Sequence, residues 1–245
     1  MSDVTGTRPA FYALARGGWR DYVTLLHPPY TLWHLSYVVI GAALAPEWRP
    51  GRLGLTLAAF FLAVGVGAHV LDELRGRPLA TAVSDRVLVG LAVASLAGAV
   101  GIGIGGAIAW NLWLLAFVAI GGFVVCAYNL ELFGGRLHGD LWFALFWGAF
   151  PLLTAYFAAA EEIRGEAILA AAFAGLLSLA QRRLSTPVRA LRRRVAAVSG
   201  TLELKDGTHE PINAESLMRA PEGALRALTA ATIALAAALV VLRVS

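Results

Sequence analysis

Charged residues are scarce in this chain. Only 15% of its 245 residues are Asp, Glu, Lys or Arg, 58% are hydrophobic, and the mean hydropathy is +0.69. An ordinary soluble domain carries about 25% charged residues. Disorder needs low hydrophobicity with high net charge, so it is excluded for the bulk of the chain. Cysteine is nearly absent too. Cys126 stands alone, which excludes a disulfide-stapled module. No Ser-His-Asp or cysteine-based nucleophile constellation stands out. Gly101, Gly103 and Gly106 spell G-x-G-x-x-G without the βαβ unit of a dinucleotide site, and they read as small residues for close helix packing. The net charge of +4 and pI near 9.6 come from basic residues flanking apolar runs, a mark of membrane orientation rather than of nucleic-acid binding.

What the chain has in abundance is apolar runs of the length that crosses a hydrocarbon core of about 30 Å as a helix. Seven are expected, over 29–46, 53–73, 86–104, 107–129, 140–160, 165–182 and 222–243. They are continuous rather than alternating, which favours helices over a barrel. The fold class is therefore an all-α polytopic transmembrane helical bundle. The first run carries Tyr30, Trp33, His34 and Tyr37, so it is expected to stay in place as a span and not to be cleaved as a signal. Sixteen of the 20 Lys and Arg residues fall on the N-terminal side of the expected topology, against Arg49, Arg52, Arg164 and Arg243 on the other. That imbalance predicts a cytoplasmic N-terminus and a multi-pass protein of the cytoplasmic membrane.

The expected organisation is a cytoplasmic N-terminal segment over 1–27, a six-helix core over 28–182, a basic cytoplasmic segment over 183–221 and a last transmembrane helix over 222–245. Within the basic segment, 184–198 carries Arg189, Arg192, Arg193 and Arg194 among apolar residues. It reads equally as an amphipathic helix on the anionic leaflet or as a solvated basic helix. The stretch 201–212, with Asp206-Gly207 at its centre, reads as a small hairpin capping the cytoplasmic end.

Chemistry concentrates at the end of the second run. His69, Asp72 and Glu73 stand at i, i+3 and i+4, on one helix face. Carboxylates suit a hard cation such as Mg²⁺, which bridges to substrate phosphates, and Arg75 and Arg77 follow at once, as a phosphate-bearing ligand requires. By spacing alone, simple pairing of Asp72 and Glu73 with the two arginines has equal standing. His69 lies a turn deeper, where an ionisable group points to function.

Asp72 followed by Arg77-Pro78-Leu79, Thr81 and Ser84 resembles the first Asp-rich motif of the UbiA-type membrane prenyltransferase superfamily. That motif, N-D-x-x-D-x-x-x-D, ends the second transmembrane helix on the cytoplasmic side and is followed by R-P-L. Here Ala68 and His69 stand where the family has Asn-Asp, and Gly76 where it has the last Asp. Tyr128 resembles the family's diphosphate-holding tyrosine, and 141–156 resembles its fifth helix. The second Asp-rich motif is missing: 180–189 holds Arg182 and Arg183 but no carboxylate. The resemblance covers about 28–190.

The resemblance implies Mg²⁺ held by His69, Asp72 and Glu73, with Asp72 and Glu73 catalytic. It implies a prenyl diphosphate bound by Arg75, Arg77, Tyr128, Arg182 and Arg183, and a lipophilic, electron-rich acceptor. Trp113 and Trp147 are the expected isoprenoid-tunnel residues, with Trp110 and Trp142 as further candidates. The alternatives are a non-catalytic relative that binds a lipid phosphate or a partner, and a small transporter using His69 and Asp72 as coupling sites.

Overall fold

The computed structural model describes residues 8–245; residues 1–7 of the expected N-terminal segment lie outside the described residues. In chain order come α1 (Trp19–Leu25), α2 (Pro28–Leu44), α3 (Pro50–Leu74), α4 (Asp85–Ala109), α5 (Leu114–Asn129), α6 (Asp140–Ala160) and α7 (Gly165–Arg194). Strands β1 (Gly200–Glu203) and β2 (His209–Ile212) and helix α8 (Ala214–Val244) complete the fold. α3 and α6 each contain a π-helical stretch, Phe61–Ala68 and Ala144–Ala149. Such stretches gather near functional sites because they shift the register of the side chains that follow.

Five helices, α3, α4, α6, α7 and α8, are long and apolar enough to cross a bilayer. The protein is a multi-pass, all-α membrane bundle. The two other apolar runs form shorter helices, α2 with 17 residues and α5 with 16, each about 25 Å long at 1.5 Å per residue. Val93, Ile108, Leu169 and Leu176 point outward and stay exposed, the arrangement expected where lipid is the solvent.

The bundle closes around α2, whose Trp33, Tyr37 and Val38 are fully buried. Small residues set its tightest crossings. A Cβ on Gly41 would stand 2.2 Å from the Leu152 carbonyl oxygen of α6, and one on Gly148 would stand 2.5 Å from the Ala174 carbonyl oxygen of α7. Glycine at these two positions lets the backbones approach.

Two features differ from expectation. α7 does not stop at residue 182: it runs through Pro187 to Arg194 as one helix, so 184–194 continues the helix of the sixth apolar run and is not a separate helix. Pro187 lies inside this helix, where proline removes one backbone hydrogen bond and crowds the carbonyl of the preceding turn. The strands at 200–212 pair antiparallel from Gly200 with Ile212 to Glu203 with His209. Their residues are nearly all exposed, and none lines the cavity described below. The cap expected of the hairpin is supplied instead by the N-terminal residues Pro9, Phe11 and Tyr12.

Candidate functional site

At the end of the bundle where α3 finishes and α7 projects lies a cavity of about 420 Å³. One wall is a single face of α7. Gln181, Arg182, Ser185, Arg189, Arg192 and Arg193 all line it, at the three- and four-residue spacing that puts side chains on one side of a helix. The opposite wall carries His69, Asp72 and Arg75 of α3 and its C-terminal end, and Tyr128 and Trp147 close the inner side. Six arginines line the cavity, Arg75, Arg182, Arg189, Arg192, Arg193 and Arg194, against two carboxylates, Asp72 and Glu131.

These arginines are not equivalent. Arg182 has a side chain 13% exposed and is fully engaged. Its Nε donates to Asp140 Oδ1 at 2.7 Å, its Nη2 to the His138 carbonyl at 3.0 Å, and its Nη1 to the Tyr128 hydroxyl. Arg192 donates from Nε to Glu222 Oε1 at 2.7 Å and from Nη1 to the Arg8 carbonyl at 3.2 Å. Arg193 donates only from Nε, to the Pro9 carbonyl at 3.2 Å. Arg189 has one long contact, 3.4 Å from Nη2 to Thr186 Oγ1. Among the described residues, neither Arg189 nor Arg193 has a carboxylate partner.

The floor is aromatic. The rings of His27 and His69 stack 4.1 Å apart and 8° from parallel, and the Tyr12 hydroxyl meets His27 Nδ1 at 2.8 Å. His69 Nδ1 faces the Gly65 carbonyl at 3.1 Å; a carbonyl only accepts, so that nitrogen carries the proton. His34 fixes the backbone of Trp147 through Nδ1 to its carbonyl, 2.8 Å away. Burial, and then the neighbouring His69, hold the His27 imidazole well below the usual histidine range. Two buried side-chain atoms of the cavity lining, His27 Nε2 and Gln181 Oε1, have no partner among the described residues. Buried polar atoms normally find one, so the pair marks hydrogen-bonding capacity left for a ligand.

Behind Trp147 a second space begins, an apolar groove of about 120 Å³ between α3, α4, α5 and α6, lined by Ala63, Leu96, Val118, Phe150 and Trp110 among others. Trp147 lines both spaces.

Of the residues singled out in the sequence, the structure brings His69, Asp72, Arg75, Tyr128, Trp147 and Arg182 to the cavity. Four others lie elsewhere. Glu73 is fully buried, and its carboxylate accepts from Leu79 N, Thr81 N and Thr81 Oγ1, each at 2.9 Å. The face shared by His69, Asp72 and Glu73 covers about 100° of the helix. The cavity takes the Asp72 and His69 side, whereas the loop that carries Arg77-Pro78-Leu79 takes Glu73. Arg77 turns away to the Val83 carbonyl at 2.6 Å and to Asp85. Arg183 is 71% exposed and reaches only Asp140, at 4.0 Å. Trp113 is 73% exposed at the turn before α5, and Trp110 lines the groove in its place.

Arg189 and Arg193, expected on a surface or solvated helix, join the site instead; their positions seven and eleven after Arg182 continue one face of the sixth span. That periodicity is the signal for them. His27 and Tyr12 reach the site only through tertiary folding, and no local pattern marks them.

Glu73, one of the three ligands that the resemblance implies for Mg²⁺, is taken up by the loop. With Glu73 engaged by the loop, Asp72 is left as the one carboxylate on the inner wall, and Glu131 at the rim is half exposed beside Arg75.

Compared with known proteins, the chain matches no family model, no curated protein and no solved structure.

Proposed function

We propose that this protein is a UbiA-like membrane prenyltransferase that takes an isoprenoid diphosphate and transfers its isoprenoid group to an electron-rich, lipophilic acceptor. The observation that carries this proposal is the position of Trp147, which borders an arginine-rich cavity on one side and an apolar groove on the other. A molecule with a polyanionic head and a long apolar tail satisfies both spaces at once; a soluble anion or a plain hydrocarbon satisfies one. Asp72 followed by Arg-Pro-Leu, at the end of α3, and Tyr128 add the family likeness.

In the transfer, the allylic C–O bond breaks and the diphosphate leaves with the electron pair. The acceptor's π electrons then form the new C–C bond. The proton released from that carbon passes to the Asp72 carboxylate, which lines the cavity. Guanidinium groups stabilise the leaving charge, and the buried aromatic floor keeps water from the cation.

Orientation is part of the proposal: seven spans, with the N-terminus and the cavity on the cytoplasmic side. Labelling of single cysteines placed at Asp206 and Glu162 in a Cys126→Ser background tests it. Asp206 is expected to be reached only from the cytoplasm and Glu162 only from outside.

A binding protein without turnover is the second reading, favoured by the presence of only two carboxylates in the cavity lining. Vesicles containing the purified protein, given radiolabelled farnesyl diphosphate and a membrane quinol or phenol, separate the two. Transfer yields labelled lipophilic product and pyrophosphate in equal amounts. Retention of intact farnesyl diphosphate with no product leaves the binding reading.

A further inference from the structure

We infer that the cavity holds its diphosphate with the guanidinium groups of α7, chiefly Arg189 and Arg193, in place of a divalent cation. The inference rests on the isoprenoid diphosphate proposed above and concerns how this chain binds it. Of the two carboxylates expected to hold a divalent ion on the diphosphate, only Asp72 lines the cavity; Glu73 is consumed by Leu79 and Thr81.

The charge that a divalent ion would bring is present in another form. Arg189 and Arg193 lie four residues apart on the face of α7 that forms the wall opposite Asp72. Neither has a carboxylate partner among the described residues. Among the described residues, neither η nitrogen of Arg193 has a protein acceptor, and its one bond is from Nε to the Pro9 carbonyl. That bond to a neutral carbonyl holds the Arg193 guanidinium plane without neutralising it. A planar guanidinium presents paired N–H donors that match phosphate oxygens two at a time. Two of them offset as much anionic charge as one divalent ion. Arg182, with every nitrogen engaged by Asp140, Tyr128 and His138, acts instead as a positioning residue that fixes Tyr128. Asp72 then stands against the anion as a like charge and contributes no bond to a metal.

The test is equilibrium binding of radiolabelled farnesyl diphosphate to the full chain in lipid nanodiscs, in Mg²⁺ and in EDTA. The parent is compared with Asp72→Asn, Arg189→Gln, Arg193→Gln and the charge-retaining Arg193→Lys. Expected is binding as tight in EDTA as in Mg²⁺, and unchanged or tighter for Asp72→Asn. Each Gln variant should weaken it about tenfold or more, the effect of losing one charge-assisted contact, and Arg193→Lys should lose less than Arg193→Gln. Binding abolished by EDTA and by Asp72→Asn would overturn the guanidinium site while leaving the isoprenoid diphosphate proposal standing. No binding in either condition would overturn both. Should a Gln variant fail to fold, the EDTA comparison on the parent chain decides alone.

Discussion

The rings of Tyr128 and Trp147 lie 4.2 Å apart, centroid to centroid, so the inner wall of the charged cavity and the inner end of the apolar groove are one aromatic pair. Tyr128 receives Arg182 through its hydroxyl, and Trp147 is fixed by His34. Charge on α7 and apolar packing among α3 to α6 therefore meet over a short distance. The account of an amphiphilic substrate depends on that meeting.

Arg182 and Tyr128 are expected to behave as one unit. Tyr128→Phe removes an acceptor and leaves Arg182 with Asp140 and His138; Arg182→Gln removes the charge and leaves Asp140 and Tyr128 unpartnered. The single substitutions should weaken farnesyl diphosphate binding non-additively in the double variant, with a coupling of about 1 kcal/mol or more. Additive effects in a double-mutant cycle would separate the two residues.

Glu73 is expected to act on stability rather than on binding. Glu73→Ala strips three donors, Leu79 N, Thr81 N and Thr81 Oγ1, of their buried acceptor, at a cost of about 3 kcal/mol or more. Thermal unfolding in detergent should show a clear drop, smaller for Glu73→Gln. Binding per folded molecule should remain near the parent value, an outcome that a metal ligand at this position would not give.

His27 gives a pH dependence with a definite sign. Burial first, and then His69, depress its folded-state value below the ordinary histidine value of about 6.5. Above that pH both folded and unfolded chains are neutral at this site. As pH falls below it, the unfolded chain takes up a proton that the folded chain refuses, so His27 lowers stability progressively toward acid. His27→Asn keeps a side chain suited to the left-handed backbone at φ 45 and removes the titration. Thermal midpoints measured from pH 7 to pH 5 should fall less steeply for this variant, and identical slopes would show that another group carries the acid sensitivity.

The bundle was legible in the sequence because lipid demands long apolar runs, and those runs stand out whatever the packing. Five of them appear as helices fit to cross a bilayer. The cavity was legible only in part. His69, Asp72 and Arg75 could be read from spacing at the end of one span, and Tyr128 and Arg182 came only from the family resemblance, but the division of labour between Asp72 and Glu73 could not be read. It depends on a loop whose amides at Leu79 and Thr81 fold back onto Glu73. Pro187 and the dense arginines of 189–194 read as the end of a span and the start of a surface segment. The structure keeps them in α7, because helix continuation loses one bond at the proline and places the arginines on the face already used by Arg182. His27 and His69, 42 positions apart, meet by stacking, which nothing local foretells.

The most direct test of the central claim compares three ligands on the same protein in nanodiscs: farnesyl diphosphate, inorganic pyrophosphate and farnesol. Alongside the parent stands Gly122→Leu, which puts a side chain into open space on the groove wall. Farnesyl diphosphate should bind at least a hundredfold tighter than either fragment, with Gly122→Leu removing most of that advantage and leaving pyrophosphate binding unchanged. Pyrophosphate binding as tightly as farnesyl diphosphate, indifferent to Gly122→Leu, would contradict the account, since the groove would then play no part in recognition.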